Sequence, residues 1–255
     1  MKFHSAQPLG ATLGSVPCSF LGQRRIVTYG SSGKLKVSEL IFEVPKDYSN
    51  PTSGTIQLFA RSVIRYEKPA ATALEEDNRK SSQKPWFVYL QGGPGISCPA
   101  PQDMGLTDIV LNKGYQMLYL DQRGTGLSTP VSAATLALEG DVQRQADYLK
   151  LFRADSIVKD CEAIRKSLTE GYPEQLKKWS VFGQSFGGFC VLTYLSKFPQ
   201  GLRECFTSGG LAPVGKSPDQ VYEATYRKVI ERNKAYYDKY PEDIESMHSK
   251  WFKSS

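Results

Sequence analysis

One serine of the sequence stands between glycines at a spacing that suits nucleophilic catalysis. Residues 183–188 read GQSFGG and directly follow the apolar residues 179–182. A G-x-S-x-G pattern between a strand and a helix is typical of the tight turn that raises a serine hydroxyl above the edge of a sheet. We therefore predict that Ser185 is a nucleophile for acyl transfer. The alternative is an ordinary strand-to-helix turn that carries a surface serine.

A serine nucleophile needs a histidine base and an acid that orients the base. The chain has two histidines, His4 near its start and His248 near its end. We interpret His4 as a poor candidate and His248 as a surface or packing residue. We therefore expect the histidine and the acid of the triad to be absent from this chain. On this interpretation the chain is nearly inactive by itself.

A second glycine-rich segment, residues 91–95 (QGGPG), ends the apolar residues 86–90. Acyl transfer creates an oxyanion, which preorganised backbone N–H groups stabilise. One donor is the residue after the nucleophile, Phe186, and the other comes from a loop after an earlier strand, for which we select Gly93. A phosphate-binding loop is a poor alternative because no Gly-Lys-Ser/Thr follows, and a plain structural turn stays open. The residues that we expect to support this loop are Gly92, Pro94 and Gly95.

A third segment, residues 121–128 (DQRGTGLS), follows the apolar residues 117–120. We predict an architectural role for it, in which Asp121 and Arg123 tie a glycine-rich loop near the site by charged hydrogen bonds. Asp121 is not our candidate for the triad acid, because it precedes the serine in the sequence.

Short apolar runs alternate with glycine turns and helical periodicity along the middle of the chain. Continuous apolar runs of strand length suit central parallel strands that are buried on both faces. Spacings of four, three and four between apolar residues predict a helix over residues 154–170, and a second helix follows Ser185 through about residue 196. The alternation predicts an α/β fold, with a mostly parallel sheet and helices on both faces. The predicted strands are residues 35–44, 55–66, 86–90, 117–120, 179–182 and 205–208, the first two forming a hairpin.

The composition divides the chain into three predicted regions. Residues 1–33 read as a loosely structured lead-in, residues 34–212 as the α/β core, and residues 213–255 as the start of a helical cap; residues 67–84 read as a polar surface loop. The net charge of +6 is spread along the chain, which argues against a nucleic-acid partner. No apolar stretch of membrane-spanning length occurs. The five scattered cysteines suggest reduced thiols and a cytoplasmic location.

Taken together, the GGPG, DxRGxGxS and GxSxGG segments resemble the prolyl iminopeptidase family of α/β-hydrolases, in which they occur in this order and at similar spacing. The resemblance covers residues 35 to about 213. It implies an α/β-hydrolase fold with a helical cap, no metal and no cofactor. It also implies release of an N-terminal residue, preferentially proline, from a peptide with a free N-terminus.

The chain departs from the better-known family members at two positions. They have histidine before GGPG and often tryptophan after the serine, where this chain has Gln91 and Phe186. Both changes keep the backbone donors. The family's cap also supplies acidic residues for the substrate amine, and the resemblance singles out none of the available Glu223, Glu231 and Asp238.

The sequence therefore favours the N-terminal part of a serine aminopeptidase, and two alternatives stay open. Another α/β-hydrolase, such as an esterase, would use the same serine and the same oxyanion donors. A non-enzymatic binding protein could keep the fold and leave Ser185 unreactive. The oligomeric state is not predicted.

Overall fold

A computed structural model describes residues 18–30, 33–66, 83–210 and 215–244. The chain divides into two compact units, Met1–Leu211 and Ala212–Ser255. Within the described part of the first unit, seven strands form one sheet in the order β1-β2-β3-β5-β4-β6-β7. The strands are β1 Ser19–Gly30, β2 Gly33–Pro45, β3 Thr55–Arg65, β4 Trp86–Leu90, β5 Gln116–Asp121, β6 Trp179–Gln184 and β7 Leu202–Ser208.

The sheet is mixed, and its two halves differ in strand direction. Strands β1, β2 and β3 pair antiparallel, and β3 pairs antiparallel with β5. Strands β5, β4, β6 and β7 pair parallel. Every residue of β4 and β5 is buried, as expected for central parallel strands covered on both faces. The candidate site lies on this parallel half.

Strand β1 corrects the prediction of a loosely structured lead-in over residues 1–33. Ser19–Gly30 pairs with β2 from Ser19 opposite Glu43 to Gly30 opposite Gly33. The run IVTY at residues 26–29 carries the β-branched and aromatic residues that favour strands. This segment forms a strand because it pairs with the edge of β2, and local sequence patterns do not reveal that pairing. Residues 1–17, and residues 67–82 of the predicted polar loop, lie outside the described residues.

Five helices accompany the sheet in the described part of the first unit. Ile157, Cys161 and Ile164 of the fourth helix pack with Val88 and Val181 in one core, on one face of the sheet. Val110 and Leu111 of the first helix pack with Phe87, Tyr89, Met117 and Tyr119 in a second core, on the other face. The helices are α1 Gly105–Asn112, α2 Ala133–Ala137, α3 Val142–Lys150, α4 Ala154–Leu168 and α5 Phe186–Lys197.

The described part of the second unit is one long helix, α6, which spans Pro218–Lys239. Ser217 and Gln220 form a capping box at its start. None of its residues is buried, in agreement with its polar composition. No helix of the described residues is long and apolar enough to cross a membrane, and all five cysteines are free thiols.

Candidate active site

Ser185 lies at the turn between β6 and α5, at the N-cap position of the helix. Its backbone angles are φ 53° and ψ −120°, and it is the one non-glycine residue of the described chain with a positive φ. Residues other than glycine occupy such angles at a cost, and they do so mostly at functional sites. The Ser185 side chain is exposed. The turn therefore presents the hydroxyl to solvent above the end of β6.

The glycines around Ser185 are required by close backbone contacts. A Cβ atom at Gly183 would lie 2.1 Å from the carbonyl oxygen of Gly187, and one at Gly187 would lie 2.0 Å from the carbonyl oxygen of Leu90. The N–H of Ser185 donates to the carbonyl oxygen of Ser208 at 2.7 Å. The turn is thus packed against the carboxyl end of β4 and is hydrogen-bonded to the end of β7.

The loop after β4 lies directly beside the serine. A Cβ atom at Gly92 would lie 2.8 Å from Ser185 Cβ and 3.5 Å from Ser185 Oγ. Gly93 follows with φ 118° and precedes a cis peptide bond to Pro94. Among the described residues, no hydrogen bond engages the N–H of Gly93 or of Phe186. The structure thus brings together the three residues of the predicted nucleophile and oxyanion site, whose roles remain a prediction.

A set of polar side chains holds the beginning of this loop, and no pattern in the sequence indicated this role for them. Gln91 Oε1 accepts hydrogen bonds from the N–H of Gly92 at 3.0 Å and from the Tyr89 hydroxyl at 2.8 Å. The carbonyl oxygen of Gln91 accepts from Gln122 Nε2 at 3.0 Å. The Tyr89 hydroxyl also lies 3.0 Å from Gln184 Oε1. We call residues 91–98 the oxyanion loop.

Asp121 joins the oxyanion loop to residues 121–128, which we call the support loop. Its Oδ1 accepts from the N–H of Cys98 at 2.8 Å, and its Oδ2 accepts from the N–H of Leu127 at 2.9 Å. The Ser128 hydroxyl donates to the Asp121 carbonyl oxygen at 2.6 Å. Asp121 is 2% exposed, and both of its carboxylate oxygens accept hydrogen bonds from the two loops. These contacts support the architectural role predicted for it.

Arg123 is buried and forms an ion pair with a partner that the sequence analysis missed. Its Nε and Nη2 donate to Asp160 Oδ2 and Oδ1 at 2.7 and 2.6 Å. The Tyr48 hydroxyl donates to Asp160 Oδ1 at 2.7 Å. Burial by itself would lower the pKa of the Arg123 guanidinium, but the charge and hydrogen bonds of Asp160 raise it above its ordinary value. The available signal was an acid at position 160, three residues after Ile157 on the apolar face of α4.

An apolar cavity of about 360 Å³ lies beside the candidate site. Phe186 and Pro94, the neighbours of Ser185 and Gly93, form part of its wall. An aromatic cavity next to a nucleophile suits an apolar substrate group, with the polar groups at its edge fixing the orientation. Its other lining residues are Phe152, Arg153, Ala154, Asp155, Phe189 and Thr193.

The remaining candidate residues lie either outside the described residues or on α6 of the second unit. His4 and His248 lie outside the described residues, so the structure assigns no histidine base. The three acids considered for the substrate amine are exposed on α6, and each has a basic residue within a turn of it on the same helix. The pairs are Glu223 with Arg227 at 4.0 Å, Glu231 with Lys228 at 2.7 Å and Asp238 with Lys234 at 2.7 Å.

Comparisons with known proteins identify the fold family of the chain. The family described as the α/β hydrolase fold matches residues 85–249, more than half of the chain, which confirms the predicted fold class. A proline iminopeptidase of Aspergillus aculeatus is 46% identical over 220 residues, covering 85% of this chain and 46% of that protein. A proline iminopeptidase of Aeromonas sobria is 45% identical over 201 residues, covering 78% of this chain and 43% of that protein. The chain thus spans about half the length of these relatives.

Proposed function

Because the chain belongs to the α/β-hydrolase family and is similar to proline iminopeptidases over most of its length, we propose that it carries the nucleophile and the oxyanion hole of a serine aminopeptidase. The substrate is a peptide with a free N-terminus, preferentially an N-terminal proline. The observation that carries the proposal is the strained, exposed Ser185 with the oxyanion loop packed against it.

In this mechanism Ser185 Oγ attacks the carbonyl carbon of the first residue, and the N–H groups of Phe186 and Gly93 stabilise the oxyanion. A histidine base takes the proton of the Ser185 hydroxyl, proline is transferred to the serine as an ester, and the base passes that proton to the amine of the leaving peptide. Water then hydrolyses the ester and releases proline. We expect this histidine, and the acid that orients it, outside the 255-residue chain. The aromatic cavity at Phe186 accepts an apolar part of the substrate.

The same proposal predicts that the 255-residue chain is a poor enzyme when expressed by itself. Loss of the triad acid or the triad histidine lowers kcat by roughly 10⁴- to 10⁶-fold in serine proteases. We expect a deficit of that order for L-proline 4-nitroanilide, relative to the protein purified from its natural source. Full turnover by the isolated chain, abolished by Ser185→Ala, would contradict this prediction.

The function is tested on the protein from its natural source with a fluorophosphonate probe. We expect turnover of L-proline 4-nitroanilide, its loss upon labelling, and the label on the peptide that contains Ser185. Hydrolysis of 4-nitrophenyl acetate without turnover of the arylamide would contradict the aminopeptidase assignment and indicate an esterase. If Ser185 is not labelled and neither activity is detected, the result would indicate a non-enzymatic binding protein that keeps the fold.

We further propose a cytoplasmic location and neither nucleic acid nor a membrane as a partner. The five free thiols are compatible with a reducing compartment. Immunolocalisation of the natural protein tests this proposal, and its detection in a secreted fraction would contradict it.

A further inference from the structure

The oxyanion loop and the nucleophile turn are joined by a short chain of hydrogen bonds through Tyr89. Gln91 Oε1 accepts from the N–H of Gly92, so this atom is fixed as an acceptor. The Tyr89 hydroxyl donates to the same atom at 2.8 Å. Gln91 therefore receives two donors, one from its own loop and one from the underlying strand.

Tyr89 reaches the other side of the site through Gln184, the residue before the nucleophile. Its hydroxyl lies 3.0 Å from Gln184 Oε1, but a phenol has one proton and cannot donate to two amide oxygens at once. Since Gln91 Oε1 is fixed as an acceptor, the consistent arrangement turns the Gln184 amide so that Nε2 donates to the Tyr89 oxygen. Burial raises the pKa of Tyr89 above its ordinary value, which keeps the hydroxyl protonated.

Side chains of the support loop also hold the oxyanion loop at both of its ends, which restricts its movement away from the serine. Gln122 Nε2 holds the carbonyl oxygen of Gln91 at 3.0 Å, and Asp121 Oδ1 holds the N–H of Cys98 at 2.8 Å. Between these two anchors, the Cα of Gly92 packs against Ser185 so closely that a methyl group would not fit.

We propose that Gln91 is a positioning residue, which engages the N–H of Gly92 and so leaves the N–H of Gly93 as the donor that faces the nucleophile. The bridge from Gln184 through Tyr89 to Gln91 sets the spacing between this donor and the N–H of Phe186. A neutral amide suits this position because it does not titrate, and it places no negative charge beside a developing oxyanion. The inference deepens the proposed function and rests on it for its catalytic meaning.

Amide hydrogen exchange, followed by NMR in the ¹⁵N-labelled 255-residue chain, tests the inference without any need for turnover. We expect the Gly92 amide to be protected and the Gly93 amide to exchange faster. Gln91→Ala removes the acceptor and should speed exchange at Gly92 about tenfold, as expected for the loss of one hydrogen bond. Tyr89→Phe keeps the acceptor but removes the bridge, and should give a smaller increase.

Two further variants separate positioning from a general loosening of the fold. Gln91→Glu replaces the amide acceptor with a carboxylate acceptor and should retain the protection of the Gly92 amide that Gln91→Ala loses, at neutral pH. Gln57→Ala removes an exposed glutamine of β3 and should leave both glycines unchanged. Amides of β4 and β6 serve as internal references, because an effect on the sheet itself would change them together with Gly92.

The outcomes distinguish this inference from the proposed function. Equal exchange at Gly92 in the wild type and Gln91→Ala, or protection of Gly93 instead of Gly92, would overturn the inference whatever the peptidase assay shows. The expected exchange pattern, together with a natural protein that does not turn over the arylamide, would support the geometry and reject only the aminopeptidase.

Discussion

The oxyanion loop and the support loop follow neighbouring parallel strands, and both contain glycines. They differ in whether their polar groups are buried in the protein or exposed to solvent. The support loop turns them inward: Gln122, Arg123 and Ser128 are each 3% exposed or less. The oxyanion loop leaves residues 93–97 exposed. The N–H of Gly93 has no partner among the described residues.

Both loops lie at the carboxyl ends of the parallel strands, but the support loop contributes mainly to stability and the oxyanion loop contributes to the candidate site. A buried loop with paired polar groups contributes to stability, because removal of one partner leaves the other desolvated and unpaired. An exposed loop with free donors contributes little to stability and is available to a ligand. We therefore expect substitutions in the support loop to lower the free energy of unfolding. Substitutions at the exposed site should affect mainly its chemistry.

The largest effect is expected when the buried ion pair of the support loop is broken. Arg123→Met should lower the free energy of unfolding by about 3–5 kcal/mol, because it leaves the Asp160 carboxylate buried without its partner. The measurement is urea denaturation of the 255-residue chain, followed by circular dichroism. The exposed Arg144 provides a matched control, and Arg144→Met should change stability by less than about 0.5 kcal/mol.

The double variant Arg123→Met/Asp160→Asn sharpens this test. It removes the unpaired charge and should recover part of the stability that Arg123→Met loses. If the free energies of unfolding of Arg123→Met and Arg144→Met differ by less than about 1 kcal/mol, the support loop does not have the stabilising role that we assign to it.

Two glycines with positive φ, one in each loop, give a smaller and direct comparison. At Gly126 (φ 56°) a Cβ atom would lie 2.0 Å from Asp121 Oδ2, whereas at Gly95 (φ 96°) it would meet no atom within 4 Å. Gly126→Ala should lower the free energy of unfolding by about 3 kcal/mol through overpacking and strain. Gly95→Ala should cost about 1 kcal/mol from strain alone. Equal urea midpoints for the two variants would contradict the assigned difference between the loops.

The smallest expected effect is an increase in stability, and it concerns Ser185, the proposed nucleophile. Ser185→Gly should raise the free energy of unfolding by about 1 kcal/mol, because glycine adopts the observed backbone angles without the strain that serine bears. Ser185→Ala retains the strain and should leave stability nearly unchanged. The two variants are compared by urea denaturation. A Ser185→Gly chain less stable than Ser185→Ala would show that the turn stores no strain.

The sequence indicated much of the fold in the parallel half, because its signals there are local. Three continuous apolar runs predicted β4, β5 and β6, and the periodicity of residues 154–170 predicted α4. In the antiparallel half, β2 and β3 were recognised as a hairpin. Strand β1 was missed, because its pairing depends on the edge of β2 rather than on its own composition. Helix α1, whose eight residues follow a proline-rich segment, was also not predicted.

For the candidate site, local sequence patterns were sufficient to select the residues that we predict to take part in the chemistry. Serine between glycines, and a GGPG segment after an earlier strand, are local patterns whose backbone geometry follows from the absence of side chains. Which of these groups contact one another follows from the tertiary fold. The fold pairs Arg123 with Asp160, and it links Gln184 to Gln91 through Tyr89. Such contacts join residues on different strands and helices, so the order of the strands in the sheet, which no local pattern encodes, selects the partners.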